Sequence, residues 1–277
     1  MKNYLQIFAL LLGLIFVASC NKAPQTSTDN TKKTYSSDAV KKIVKDEQTF
    51  RSIDQAVDLT FNFFDGKKES SQRWGCWDVS FEDYFWKTPN VMTVDFGDAC
   101  ENDHGDVYEG KIIVSYNKFL NRTGAVKTVS FENFKINGDA ITGEIITSNL
   151  GRNSDNYYVL QREVKDGEIN FEDGSVSTLN ANNFYTFAMG GSLFDIDQKN
   201  IEILGGSDGV TKDGVTFTTF INEALIASLQ CGCINAGFTT FTIDDENYTV
   251  DFGDGTCASV SQITLPDGTV ESSDICE

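Results

Sequence analysis

The sequence predicts a mainly β fold: one N-terminal amphipathic helix, then an antiparallel, meander-like twisted sheet or open sandwich with an internal duplication. Three observations carry that reading. Turn dipeptides recur along the second part of the chain, at Asn137-Gly138, Asp166-Gly167, Asp173-Gly174, Asp213-Gly214 and Asp267-Gly268, each supplying residues that tolerate positive φ. The segments between them alternate: Ile112, Val114 and Tyr116 share one face of a strand, Val129 shares another with Phe131, and Val215 with Phe217 and Tyr248 with Val250 and Phe252 do likewise. Finally, Val94-Asp95-Phe96-Gly97-Asp98 returns as Val250-Asp251-Phe252-Gly253-Asp254, which marks a duplicated hairpin-like unit.

The chain opens with a secretory leader, residues 1–19, in which Lys2 gives the positive start, Leu5 to Val17 the apolar stretch and Ala18-Ser19 the small residues before a cut. The apolar run is shorter than the roughly 20 residues that span a bilayer. Val17-Ala18-Ser19-Cys20 resembles a lipobox, so Cys20 is expected to carry lipid and to tether the mature protein to a membrane. Residues 20–37 are then a mobile tether, too poor in apolar groups to offset the entropy of ordering. The helix is expected over 38–66: Val40, Ile43, Val44, Phe50, Ile53, Val57, Phe61 and Phe64 recur at three- and four-residue steps. Ser37 or Asp38 serves as N-cap, Asp65-Gly66 as stop, and any break falls near Asp46.

From there the β domain runs over 67–277, in related halves of about 67–179 and 180–277 or, alternatively, as two subdomains that meet near Asn180. Three prolines and 21 phenylalanines suit a β core, and the links are too short for crossover helices, which favours antiparallel pairing. In Val129 to Ile136 the apolar phase moves from odd to even positions after Phe131, which places a bulge or bend at Glu132-Asn133.

Seven cysteines leave six once Cys20 is lipidated. The repeat argues for Cys76 with Cys100 and Cys233 with Cys257, each pair 24 residues apart, and leaves Cys231 for Cys276. An exported chain favours disulfides over a metal site at Cys231-Gly232-Cys233. A loop of this size, closed in the unfolded state, contributes about 3 kcal/mol in the chain-entropy treatment.

Composition narrows partners and chemistry. Without Lys2 the mature chain carries 21 basic residues against 41 acidic ones, so nucleic acid and anionic headgroups are poor partners. His104 is the only histidine, so any hydrolytic triad would depend on it, and no P-loop, dinucleotide-binding, HExxH or GxSxG run is present. No cofactor is implied. Asp98, Glu101, Asp103 and Asp106, with Asn102, offer hard oxygens for calcium, although their spacing is not that of an EF-hand.

The runs GCWDVSFEDYFWKTPNVMTVDFGDACENDHGDVYEGKIIVSYN, VSFENFKINGDAITGEI and YTVDFGDGTCASVSQITLPDGTV, within Trp74 to Glu277, resemble a group of Bacteroidota-type envelope lipoproteins of uncharacterised function. The resemblance implies a polar tether, a helix and a cysteine-bounded strand pair, and its motifs are structural rather than catalytic. Asn21-Lys22-Ala23-Pro24 lacks the acidic residues that often signal surface export in that group, which favours the periplasmic face of the outer membrane.

The expected function is that of a non-enzymatic, membrane-anchored envelope lipoprotein whose disulfide-stapled β surface binds a protein or glycan. Trp74, Trp77 and Trp86, with Tyr84 and Phe85, are the contact residues, and core packing is the plainer role for the same side chains. The alternative is an envelope hydrolase acting on saccharide or peptide through acidic residues, distinguished by a pocket with convergent carboxylates.

Overall fold

In a computed structural model, which describes residues 35–64, 71–74, 76–102, 105–187, 200–228, 233–256 and 260–273, the strands follow one another across the sheet in chain order. The helix α1 (Asp38–Phe64) precedes β1 (Ser71–Trp74), β2 (Trp77–Phe81), β3 (Asn90–Glu101), β4 (Val107–Tyr116), β5 (Val126–Ile136), β6 (Asp139–Arg152) and β7 (Tyr158–Asn170). There follow β8 (Val176–Phe187), β9 (Asn200–Val210), β10 (Thr216–Ser228), β11 (Cys233–Ile243), β12 (Glu246–Asp254), β13 (Ser261–Thr264) and β14 (Val270–Ser273). Among the described residues every pairing is antiparallel between neighbours and β1 does not meet β14, so the sheet is an open meander. Asn180 lies inside β8, paired to Asp208 of β9, and the sheet passes through that position without interruption.

The helix is unbroken. All seven described members of its apolar stripe, Val40 to Phe61, are buried. Asp46, the expected break, lies on the buried side as well, beside Ser177 of the sheet. Ser37 occupies the N-cap position, its carbonyl accepting from the Lys41 amide (3.0 Å), and its hydroxyl donates to Glu271 on β14. Tyr35 stacks edge-on with Tyr248 and donates to Glu246 (3.3 Å), while Phe61 at the other end meets Tyr116 and Phe85. The helix and the residues just before it thus touch strands from β4 to β14, across the inner face that alternating residues such as Met92, Val114, Ile145, Ile203, Phe241 and Val250 make apolar.

Bulges bend the strands in a row. Asn133 (φ 51°) shifts the register of β5 against β4 where the apolar phase changes, and Gly97, Gly110, Gly143 and the Asp166–Gly167 step continue that row through β3, β4, β6 and β7. Asp166-Gly167, expected as a turn, is therefore a bulge inside β7, since a bulge and a tight turn demand the same positive φ, here 49° at Asp166. The other four turn dipeptides do close hairpins, with Gly174, Gly214 and Gly268 each donating to the carbonyl three residues back. A second row of irregularities crosses β9 to β12.

The duplicated pentapeptide ends both rows. In each copy the aspartate accepts the glycine amide, Asp95 from Gly97 (3.0 Å) and Asp251 from Gly253 (2.9 Å), and bends a strand that is third from an edge, β3 or β12. The hairpins around the copies differ: loop 82–89 joins β2 to β3, whereas Asp244 and Asp245 alone join β11 to β12. Equal cysteine spacing therefore divides differently between strand and loop.

A Cβ at Gly110 (φ +75°) would stand 2.2 Å from the Asn133 carbonyl oxygen, where two bulges meet. Gly110→Ala is expected to destabilise the fold by at least about 2 kcal/mol through backbone strain and a clash that flexible atoms cannot relieve. Urea unfolding of the purified domain measures this.

Candidate binding site

Loop 82–89 is built around one inward and two outward aromatic residues. Phe85 is buried against Phe61, Phe81 and Phe119, and the Tyr116 hydroxyl donates to its carbonyl (3.1 Å). Burial pushes the Tyr116 hydroxyl up to about 12, so it stays a donor. The buried Asn90 side chain accepts from the amides of Asp83 (3.1 Å) and Val91 (2.9 Å) and donates to the carbonyls of Asp83 (3.3 Å) and Tyr84 (3.0 Å). Lys87 returns its amide to the Tyr84 carbonyl (2.8 Å) and its ammonium to Asp83, whose carboxyl is held below its ordinary range by that bond and by the Tyr84 amide. A cis Thr88-Pro89 bond completes the loop.

So fixed, the loop turns Tyr84 and Trp86 outward, 58% and 50% exposed. Their rings stack face to face, centroids 5.0 Å apart and planes within 9°. Adjoining the foot of the loop is a shallow trough of about 440 Å³ on the sheet, lined by Glu82, Pro89, Asn90, Val91, Ser115, Tyr116, Asn117, Val126 and Thr128. That volume falls in the range of small-ligand sites.

The other sequence-predicted residues are dispersed. Trp77 is half-buried and packs on Phe96, a core role, and the side chain of Trp74 lies outside the described residues. Asp98 and Glu101 are exposed, while Asp106 accepts from Asn102 (3.2 Å) and Asn137 (3.0 Å). Among the described residues no three His, Cys, Asp or Glu side chains gather as a metal ion needs, and Asp103 and His104 fall outside them. Cys76 and Cys100 are joined, their Cα atoms 5.3 Å apart, tying the residue before β2 to the end of β3. Cys233 opens β11; Cys20, Cys231, Cys257 and Cys276 lie outside the described residues. No described helix is long and apolar enough to cross a membrane.

Buried charge lies elsewhere, beneath α1. Lys127 on β5, 1% exposed at its side chain, reaches Asp54 (2.9 Å) and Asp58 (2.5 Å), while Arg162 on β7 reaches Asp54 (3.2 Å) and the Phe50 carbonyl (2.6 Å). Burial alone would lift the Asp54 carboxyl, but the Lys127 and Arg162 charges outweigh it and hold it below its ordinary range. Burial opposes the Lys127 ammonium too, and Asp54 and Asp58 overcome it, so Lys127 stays charged and is no nucleophile. Sequence reasoning missed this network, although Asp54 sits in the helical stripe beside Ile53 and Val57 and Lys127 has the strand parity of Val129.

Three further carboxyls are raised, Asp58 among them by burial that outweighs the Lys127 charge. Glu47 is raised by burial, opposed by the Ser207 hydroxyl that donates to it (2.5 Å), and Asp46 is pushed up to about 6 by burial, opposed by Ser177 and by Lys45. Glu47 borders an enclosed space of about 30 Å³ in which Arg51 Nε, Asn183 Oδ1 and Thr239 Oγ1 have no hydrogen-bond partner. It has room for a water-sized group and none for an organic ligand. No protein-family model matches the chain, and no curated protein or solved structure matches it significantly.

Lys127→Met leaves Asp54 and Asp58 short of a counter-charge under the helix and is expected to cost about 3–5 kcal/mol. Replacing the set together, Asp54→Leu with Lys127→Met and Arg162→Met, is expected to cost less than the single change; denaturant unfolding compares the two.

Asp46 gives a pH signature. Its folded pKa lies above the unfolded 3.8, so its contribution is full below pH 4, fades as the pH rises to about 6 and is lost above, where the ionised form costs about 3 kcal/mol. Asp46→Asn, which keeps the shape of the side chain without its charge, is expected to be about 1–3 kcal/mol more stable than the natural chain at pH 7.5 and equal to it at pH 4. Urea midpoints at the two pH values decide it.

Proposed function

We propose that the protein is a non-enzymatic binding lipoprotein of the bacterial envelope, anchored to the outer membrane through acyl chains on Cys20, facing the periplasm, and making its contact through loop 82–89. The observation that carries the reading is the solvent-exposed Tyr84–Trp86 stack on a loop that Phe85 and Asn90 pin to the core. Exposed aromatic pairs held in one conformation bind with little loss of side-chain entropy, which is the property of a contact surface. The carboxyls with raised pKa, Asp46, Glu47 and Asp58, face helix–sheet contacts and leave the trough without the paired acids that glycoside hydrolysis uses. The anchor and the remaining disulfides, Cys233 with Cys257 and Cys231 with Cys276, belong to the same proposal and rest on the lipobox-like run and the repeat.

Affinity capture from the native envelope tests the binding role. The natural chain is expected to retain a partner that a Tyr84→Ala/Trp86→Ala variant loses by about 30-fold or more in affinity, the scale of a hot-spot aromatic. Equal retention by both proteins overturns it. Mass spectrometry of the mature amino terminus and of unreduced peptides is expected to find acylated Cys20 and the two further disulfides.

A further inference from the structure

Resting on that reading, we infer that the occupant of loop 82–89 and its adjoining trough is a neutral saccharide. Two features of different chemistry share that loop. Between its ends is the Tyr84–Trp86 stack, with half or more of each residue open to solvent, whose outer ring face is a C–H-binding surface of the kind that covers the apolar face of a pyranose. At the foot of the loop is the trough, whose lining includes the polar residues Glu82, Ser115, Asn117 and Thr128 beside Pro89 and Val91. Short hydroxyls and a carboxylate suit the closely spaced hydroxyl groups of a sugar, which donate and accept at once. A trough of about 440 Å³ holds one or two sugar rings.

Charge selects among glycans. Of the two acids in the loop, Asp83 is paired with Lys87, whereas Glu82 faces the trough. The chain carries a formal charge of −19. An anionic polysaccharide would meet repulsion at Glu82 and from the whole molecule, while an uncharged one meets none. A protein partner would be expected to use a larger flat apolar area than two rings provide.

The test uses the full chain with neutral oligosaccharides of glucose, mannose, xylose and N-acetylglucosamine, and with polygalacturonate and heparin as anionic controls, followed by Trp fluorescence and calorimetry. At least one neutral oligosaccharide is expected to bind. Trp86→Ala is expected to weaken it by about 10-fold or more, Trp86→Phe to restore most of the affinity, and Ser115→Ala with Thr128→Val to weaken it about 3- to 10-fold. Circular dichroism of each variant confirms its fold. Binding of the anionic controls as tightly as the neutral sugars overturns the inference. So does the lack of binding by every neutral sugar, and if envelope capture still depends on Trp86 in that case, the partner is a protein and the binding role survives. Loss of neither sugar nor captured partner in Trp86→Ala overturns both.

Discussion

The position of α1 on the sheet depends on Asp54, caught between Lys127 of β5 and Arg162 of β7. Apolar packing alone would let a smooth helix slide over the sheet, because the hydrophobic effect is non-directional. The ion network is directional. A buried charge displaced from its partner costs several kcal/mol, so the rotation and height of the helix are set by the pairing of Asp54 with both cations. Phe50 then sits over Gly167, where an added Cβ would stand 2.9 Å from the ring, and Arg162 closes on the carbonyl of the same Phe50. The bulge that removes a side chain from β7 and the cation that grips the helix are thus parts of one contact.

The open sheet has two edge strands, and both are short. The outermost strands, β1 and β14, are four residues each, and Glu271 of β14 is taken up by Ser37 at the start of α1. Short edges offer little backbone to a passing strand. The bulge rows have a related effect, since each increases local twist and curls the sheet toward the helix. That both copies of the Asp-Phe-Gly motif fall on strands third from an edge gives the repeat a mechanical sense: it ends the curl on each side just before the edge hairpin.

How much of this was legible in the sequence follows from what each signal encodes. Strand alternation and glycine-bearing turns report on backbone and burial directly, so the meander, the helix stripe and the shift at Asn133 could all be read from the chain. Asp166-Gly167 was misread because positive φ does not say whether the chain reverses or only buckles. Asp46 looked like a break because a charged carboxylate is unfavourable in an apolar stripe; burial instead pushes its pKa up to about 6, and no local pattern announces the sheet that covers it. Of the aromatic residues from Trp74 to Trp86, alternation could place Trp77 in the core beside Val79, but within loop 82–89, which has no period, it could not say that Phe85 turns in while Tyr84 and Trp86 turn out. The trough was invisible for a related reason: Glu82, Ser115 and Thr128 come from three parts of the sequence and share only a surface.

The binding loop and the helix are coupled through the same aromatic packing. Phe61, in the last turns of α1, touches both Phe85 of the loop and Tyr116 of β4, and Tyr116 holds the Phe85 carbonyl. The outward stack is therefore supported by the inward face of its own loop, then by the helix, then by the ion network that fixes the helix. A loop with this backing gives up little conformational freedom when a ligand arrives, so two exposed rings and a shallow trough can be enough for recognition, where a floppy loop would need a larger surface to offset its own ordering.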